Sequence, residues 1–265
     1  MTVINKKRPE DQAVSEALGF LLIFTMVIVG IGLVTLYGYP MLIQQQTSAD
    51  EKIMEKNLIV LQNDAKSITY KSVPYKETAL KIGGGAMTVY NKSRSSAGFK
   101  VYDTDGVYYI GSAPDYIFPV GELVYVSDSA DTNLSLQNGA VVKRQHLETG
   151  SVMLAEPRWF YDDYTKTLVI NLIVINSSNT MSRAGIGTVQ MQLGQIGYTN
   201  VNLPAGKTLC VKYTDSNYVT AWNTYFINSM GMVPVTTPLE TGGYCLTSNP
   251  NTLVIKTFEV IIRSV

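Results

Sequence analysis

The chain has 265 residues and a formal net charge of zero, with 21 basic against 21 acidic side chains. It therefore lacks the diffuse basic field with which a nucleic-acid binder neutralises phosphates, and no nucleic-acid partner is expected. Charged residues make up only 16% while tyrosine numbers 17, a balance that suits a surface of polar uncharged and aromatic groups rather than ion pairs.

Lys6, Lys7 and Arg8 open the chain, and from Ala17 to Ile43 no charged residue follows. At about 1.5 Å per residue this stretch reaches about 40 Å as a helix, more than the roughly 30 Å hydrocarbon core of a bilayer. It is too long for a signal-peptide core and no A-x-A-like site follows it, so a retained transmembrane helix over 14–43 is expected rather than a cleaved signal. Membrane lipid is then its first partner. Tyr37 and Tyr39 suit the headgroup layer, and Pro40 is expected to kink or end the helix. The basic cluster before the span favours a cytoplasmic N-terminus, against a smaller pull from Lys52 and Lys56 beyond it.

Residues 44–73 read as an amphipathic helical extension. Met54, Leu58, Leu61, Ala65 and Ile68 recur at alternating steps of four and three, which places them on one helical stripe. Such a stripe packs either on its own domain or on a neighbouring subunit. Pro74 closes the helix.

Over 79–265 the texture changes to short β-branched and aromatic runs broken by Gly, Asn and Asp. Met87–Tyr90, Val107–Ile110, Leu123–Val126, Ala140–Lys143, Leu168–Ile175, Val189–Leu193, Leu209–Tyr213 and Leu253–Ile262 are the strongest strand candidates. Asp105-Gly106 and Asn138-Gly139 supply hairpin signals. The fold class expected is α+β: a long transmembrane helix continuing into an amphipathic one, then an antiparallel all-β ectodomain, sandwich or barrel-like. Three sequons, at Asn91, Asn133 and Asn176, all lie beyond the span and are candidate glycosylation sites. Cys210 and Cys245 read as one disulfide if this part is outside the cell and as two buried thiols if it is cytosolic.

The chemical motifs in this region have simpler readings. Gly206-Lys207-Thr208 resembles the end of a phosphate loop, but that motif needs glycine where Val201 stands, so Pro204-Ala-Gly206 reads as a turn. Gly83-Gly84-Gly85 has no following lysine and reads as a flexible link between helix and β-domain. Asp103-Thr-Asp105-Gly106 opens like a calcium loop yet lacks the later ligands, so a hairpin turn is expected. His146 is the only histidine, and no nucleophile elbow or Cys/His cluster is present. No catalytic residue, metal site or cofactor is expected.

Ala13-Val-Ser-Glu16-Ala-Leu-Gly19-Phe-Leu-Leu-Ile-Phe resembles the N-terminus of archaeal type IV pilin-like and archaellin-like proteins. More narrowly, Ser15-Glu16-x-Leu18-Gly19-Phe20, the Tyr-Gly-Tyr exit and Gly139-Ala-Val-Val142…Val152-Met-Leu154-x-Glu156-Pro157 look like an uncharacterised archaeal family of single-span surface proteins. The resemblance implies a leader over 1–13, cut between Ala13 and Val14 by a prepilin-peptidase-like enzyme. It also implies self-association through the N-terminal helix, with Leu18, Leu22 and the small residues Gly30 and Gly32 at the helix contacts. Glu16, an ordinary flanking charge on its own, would then face a neighbour's terminal ammonium. The function implied is a subunit or minor component of a surface filament. The competing reading is an anchored cell-envelope domain that never polymerises.

Overall fold

The computed structural model describes residues 9–128, 132–145, 150–235 and 241–265, with side chains described from residue 15 onward. Two compact units divide at Ala49 and Asp50.

The N-terminal unit is helical. Helix α1 runs over Pro9–Leu33, a π-helical turn over Val34–Gly38, and helix α2 over Tyr39–Tyr70, of which the part from Asp50 onward belongs to the second unit. Of the two outcomes expected at Pro40, a kink or an end, the end does not occur. Instead the Tyr39 amide reaches back to the Val34 carbonyl, and this five-residue spacing widens one turn just where proline has no N–H to give its i−4 partner. The most apolar stretch of the helix, which carries no buried residue, contains almost no charge. The stretch is thus long and apolar enough to cross a membrane. Its hydroxyls are satisfied within the helix: Thr25 donates to the Leu21 carbonyl at 2.7 Å and Thr35 to the Ile31 carbonyl at 2.8 Å, which removes unpaired donors from a segment without water.

The second unit is built on a nine-stranded sheet. Its strands are β1 (Tyr75–Tyr90), β4 (Glu122–Ser127), β5 (Thr132–Gln137), β6 (Ala140–Gln145), β7 (Ser151–Ala155), β8 (Phe160–Asp162), β9 (Thr167–Asn176), β10 (Met181–Asn202) and β14 (Thr252–Ser264). They lie in the order β7-β6-β5-β4-β1-β10-β14-β9-β8. A five-stranded sheet holds β2 (Gly98–Asp103), β3 (Phe118–Pro119), β11 (Leu209–Tyr213), β12 (Met232–Pro234) and β13 (Tyr244–Leu246), ordered β12-β13-β11-β2-β3. All pairings are antiparallel except β9 with β14, which run parallel from Thr167/Thr252 onward. That pair departs from the expected all-antiparallel ladder, because the connection from β9 to β14 passes through β10, the second sheet and a helix and returns in the same direction.

Period-two alternation in the large sheet feeds two cores. On one face Met54, Leu58, Leu61, Ala65 and Ile68 of α2 are buried against Met87, Leu123, Leu134, Ile173 and Val260. The α2 stripe therefore packs on its own domain, and its reading as a contact between subunits is overturned. On the other face Ala140, Leu168, Ile170, Leu172 and Ile255 meet the second sheet through Phe99 and Val211. Helix α3 (Val219–Asn228), which sequence reading missed, adds Trp222, Tyr225 and Phe226 to that core.

Two further expectations are corrected. Gly83-Gly84-Gly85 is not a link but lies inside β1, where the pairing changes register. Gly84 has φ +56°, and a Cβ on Gly85 would stand 2.2 Å from the Val126 carbonyl; only glycine lets the strand bulge there. Val107–Ile110 forms no strand, only a bridge from Tyr108 to Tyr102, with Tyr108 stacked on Tyr116 at 4.4 Å. The Asn138-Gly139 hairpin is as expected, both residues having positive φ, +48° and +69°.

Candidate functional site

The residues singled out on the helix remain apart from any core. Glu16, Leu18, Leu22, Gly30 and Gly32 all lie on α1, and nothing stands within 4 Å of where a Cβ on Gly30 or Gly32 would sit. Ala13 and Val14 fall within α1, but their side chains, like Lys6, Lys7, Arg8 and His146, lie outside the described residues.

Cys210 and Cys245 face each other across β11 and β13 and are joined as a disulfide. Two of the sequon asparagines are brought near one another and carry internal bonds. Asn91 donates to the Ser177 carbonyl at 3.4 Å and Asn176 to Glu259 Oε1 at 2.7 Å, while Asn133 lies at the start of β5, paired with Val126 and Arg144. The calcium-like Asp103 spends its carboxylate on its own turn: Oδ1 accepts the Asp105 and Val107 amides, each at 2.9 Å, and Oδ2 accepts the Tyr109 hydroxyl at 2.9 Å. Lys207 of the phosphate-loop-like turn is ion-paired with Asp105, so the two rejected motifs clasp each other.

A site no motif announced lies where α2 ends. Tyr70, on its last turn, packs edge-to-face on Phe258 with ring centroids 5.5 Å apart. Beyond it the sheet surface is exposed at Tyr198 and Ile196. Lys256 and Tyr198 are cross-strand partners on β14 and β10, and Lys256 and Asn171 are partners on β14 and β9, so these side chains share the floor. The wall is the segment Pro157–Phe160. Trp159 turns inward and donates its indole N–H to the Asn171 carbonyl at 2.7 Å; by alternation Arg158 and Phe160 point outward. Arg158 lies over the Tyr70 ring at 5.0 Å, a cation–π contact that holds the guanidinium in place.

Two cavities of about 510 and 680 Å³ share Tyr70, Arg158 and Phe160 as a common wall. Lys256 and Tyr198 line the first, Lys66 and Lys71 the second, and no carboxylate side chain lines either among the described residues. Burial and then the neighbouring Arg158 charge lower the Lys66 pKa, with Glu156 opposing. Burial raises that of Tyr70 to about 12. The groove is thus a cationic, aromatic-walled surface in a chain of zero net charge.

A buried acidic centre lies elsewhere, at the start of β4. Glu122 accepts the Ser95 hydroxyl at 3.0 Å and the Ser135 hydroxyl at 2.8 Å. Burial raises its pKa, and the charge of Asp215, also buried, adds to the rise against the lowering effect of both serines.

A family of unknown function (DUF7289) matches the chain over residues 12–261. No curated protein and no solved structure matches it.

Proposed function

We propose that this chain, which belongs to the DUF7289 family, is a pilin-like surface subunit with a structural or adhesive role rather than a catalytic one. The apolar helix anchors it in the cell membrane, the N-terminus is cytoplasmic, and the β-domain stands on the extracytoplasmic side. One observation carries the reading: a helical run over Ser15–Tyr70 whose apolar part is unburied, while the later part, from Met54 to Ile68, is consumed by the core of the β-domain. The exposed apolar part needs lipid or neighbouring helices, and the later part of the run is buried in the core of the β-domain. The Cys210–Cys245 bridge supports an oxidising compartment, and Lys6, Lys7 and Arg8 support the orientation. Cleavage between Ala13 and Val14 by a prepilin-peptidase-like enzyme would free the helix for assembly, with Glu16 near the new terminus.

A second reading, an anchored domain that never polymerises, is favoured by the internal use of the α2 stripe, which leaves only the α1 region for self-association. Gly30→Leu separates the two. Leucine is at least as apolar as glycine, so insertion persists, but it blocks close helix approach. Loss of cross-linked oligomers from native membranes supports the subunit reading. Unchanged cross-linking refutes it.

A further inference from the structure

The groove beyond α2 is built for more than display. Its rim carries Lys66, Lys71, Arg158 and Lys256, and its exposed rings are Phe160 and Tyr198, 46% and 63% accessible. Arg158 and Lys256 line the first cavity and Arg158, Lys66 and Lys71 the second, with no carboxylate side chain among the described lining residues and only the Glu156 charge opposing at Lys66; these like charges repel one another, a cost that a bound anion relieves. Arg158 is already ordered by the Tyr70 ring, so its planar fork is preorganised to take a carboxylate or sulfate through two parallel N–H bonds. Exposed flat rings beside cations are suited to a ligand with both a broad C–H face and a negative charge, which describes an acidic pyranose. The cations are spread over two adjoining cavities of about 510 and 680 Å³, a span for several sugar units rather than one small ion. A nucleic acid fits poorly, because the zero net charge supplies no long-range attraction to a polyphosphate.

We propose that the groove formed by Tyr70, Arg158, Phe160, Tyr198, Lys71 and Lys256 binds an acidic oligosaccharide, with Phe160 and Tyr198 stacking on sugar rings and Arg158 and the lysines holding carboxylate or sulfate groups. This binding does not depend on whether the protein polymerises.

The test uses the full chain in detergent or nanodiscs and isothermal titration calorimetry. The probes are uronate-bearing and sulfated tetrasaccharides, their neutral counterparts, sodium sulfate alone and a phosphorylated peptide. At low ionic strength the acidic tetrasaccharides bind at least tenfold more tightly than the neutral ones and than sulfate, and added salt weakens them. Lys256→Glu and Lys71→Glu each reduce that affinity at least tenfold. Phe160→Ala weakens it as well, at a position exposed enough to leave folding intact, which an unchanged circular dichroism spectrum verifies. Any of three results overturns the proposal: no acidic tetrasaccharide binds, sulfate or the phosphopeptide binds as tightly as the acidic sugars, or Lys256→Glu leaves their affinity unchanged.

Discussion

Leu61→Ala tests whether the α2 stripe belongs to the domain's own core. Leu61 is 0% exposed among Met54, Leu58, Ala65 and Ile68 and the facing strands. Removing three carbons forfeits roughly 2.4 kcal/mol of transfer free energy at about 0.8 kcal/mol per carbon. The cavity left beside a rigid sheet brings the loss to about 3–4 kcal/mol. With a urea dependence of about 2 kcal/mol per molar, the unfolding midpoint should fall by about 1.5–2 M. Trp159 and Trp222 are buried in the opposite core, so their fluorescence reports unfolding of the domain from the far side of the sheet. Val60 lies on the same helix but is 47% exposed, and Val60→Ala should move the midpoint little, since surface changes fall within about 0.5 kcal/mol. Equal midpoints for Leu61→Ala and wild type would refute the packing argument and return the stripe to subunit contacts.

Two other outcomes follow from the cores. Reducing the Cys210–Cys245 bridge, which closes a loop of sequence separation 35, should lower stability by about 4 kcal/mol on the chain-entropy estimate; recovery of two freely alkylated thiols from native protein would contradict the bridge. Burial holds the Glu122 pKa above its ordinary value of 4.5, so the folded state binds that proton more tightly than the unfolded chain does. Its contribution is full below about pH 4.5 and is lost as pH rises through the folded pKa. Glu122→Gln keeps an oxygen acceptor for one of the two serine hydroxyls and offers its amide N–H to the oxygen of the other, and it should flatten this fall, gaining stability at neutral pH relative to wild type; parallel pH–stability curves for the two proteins would refute it.

Much of the architecture was legible because it rests on periodicity. The uncharged Ala17–Ile43 run, the Met54–Ile68 stripe and strands such as β11 and β14 each carry a pattern set by burial on a defined face. Helix α3 was hidden because Trp222, Tyr225 and Phe226 are aromatic residues that also favour strands, and tertiary packing decides between the two. The glycine run misled because glycine marks a loop and a bulge alike, and only the approach of Val126 distinguishes them. The parallel β9–β14 pair depends on a connection of some 75 residues, beyond any local signal. The groove was invisible for the same reason: Tyr70, Arg158, Tyr198 and Lys256 come from four distant segments. The outward turn of Arg158 and Phe160 follows from the inward hydrogen bond of Trp159, which no local sequence pattern announces.

The central claim, a pilin-like subunit assembled through its apolar helix, is tested most directly by sequencing the N-terminus of the mature protein from native membranes and sizing it in mild detergent. The account predicts a terminus at Val14 and oligomers in which that helix is cross-linkable. A terminus at Met1 or Thr2 on a monomeric protein would contradict it.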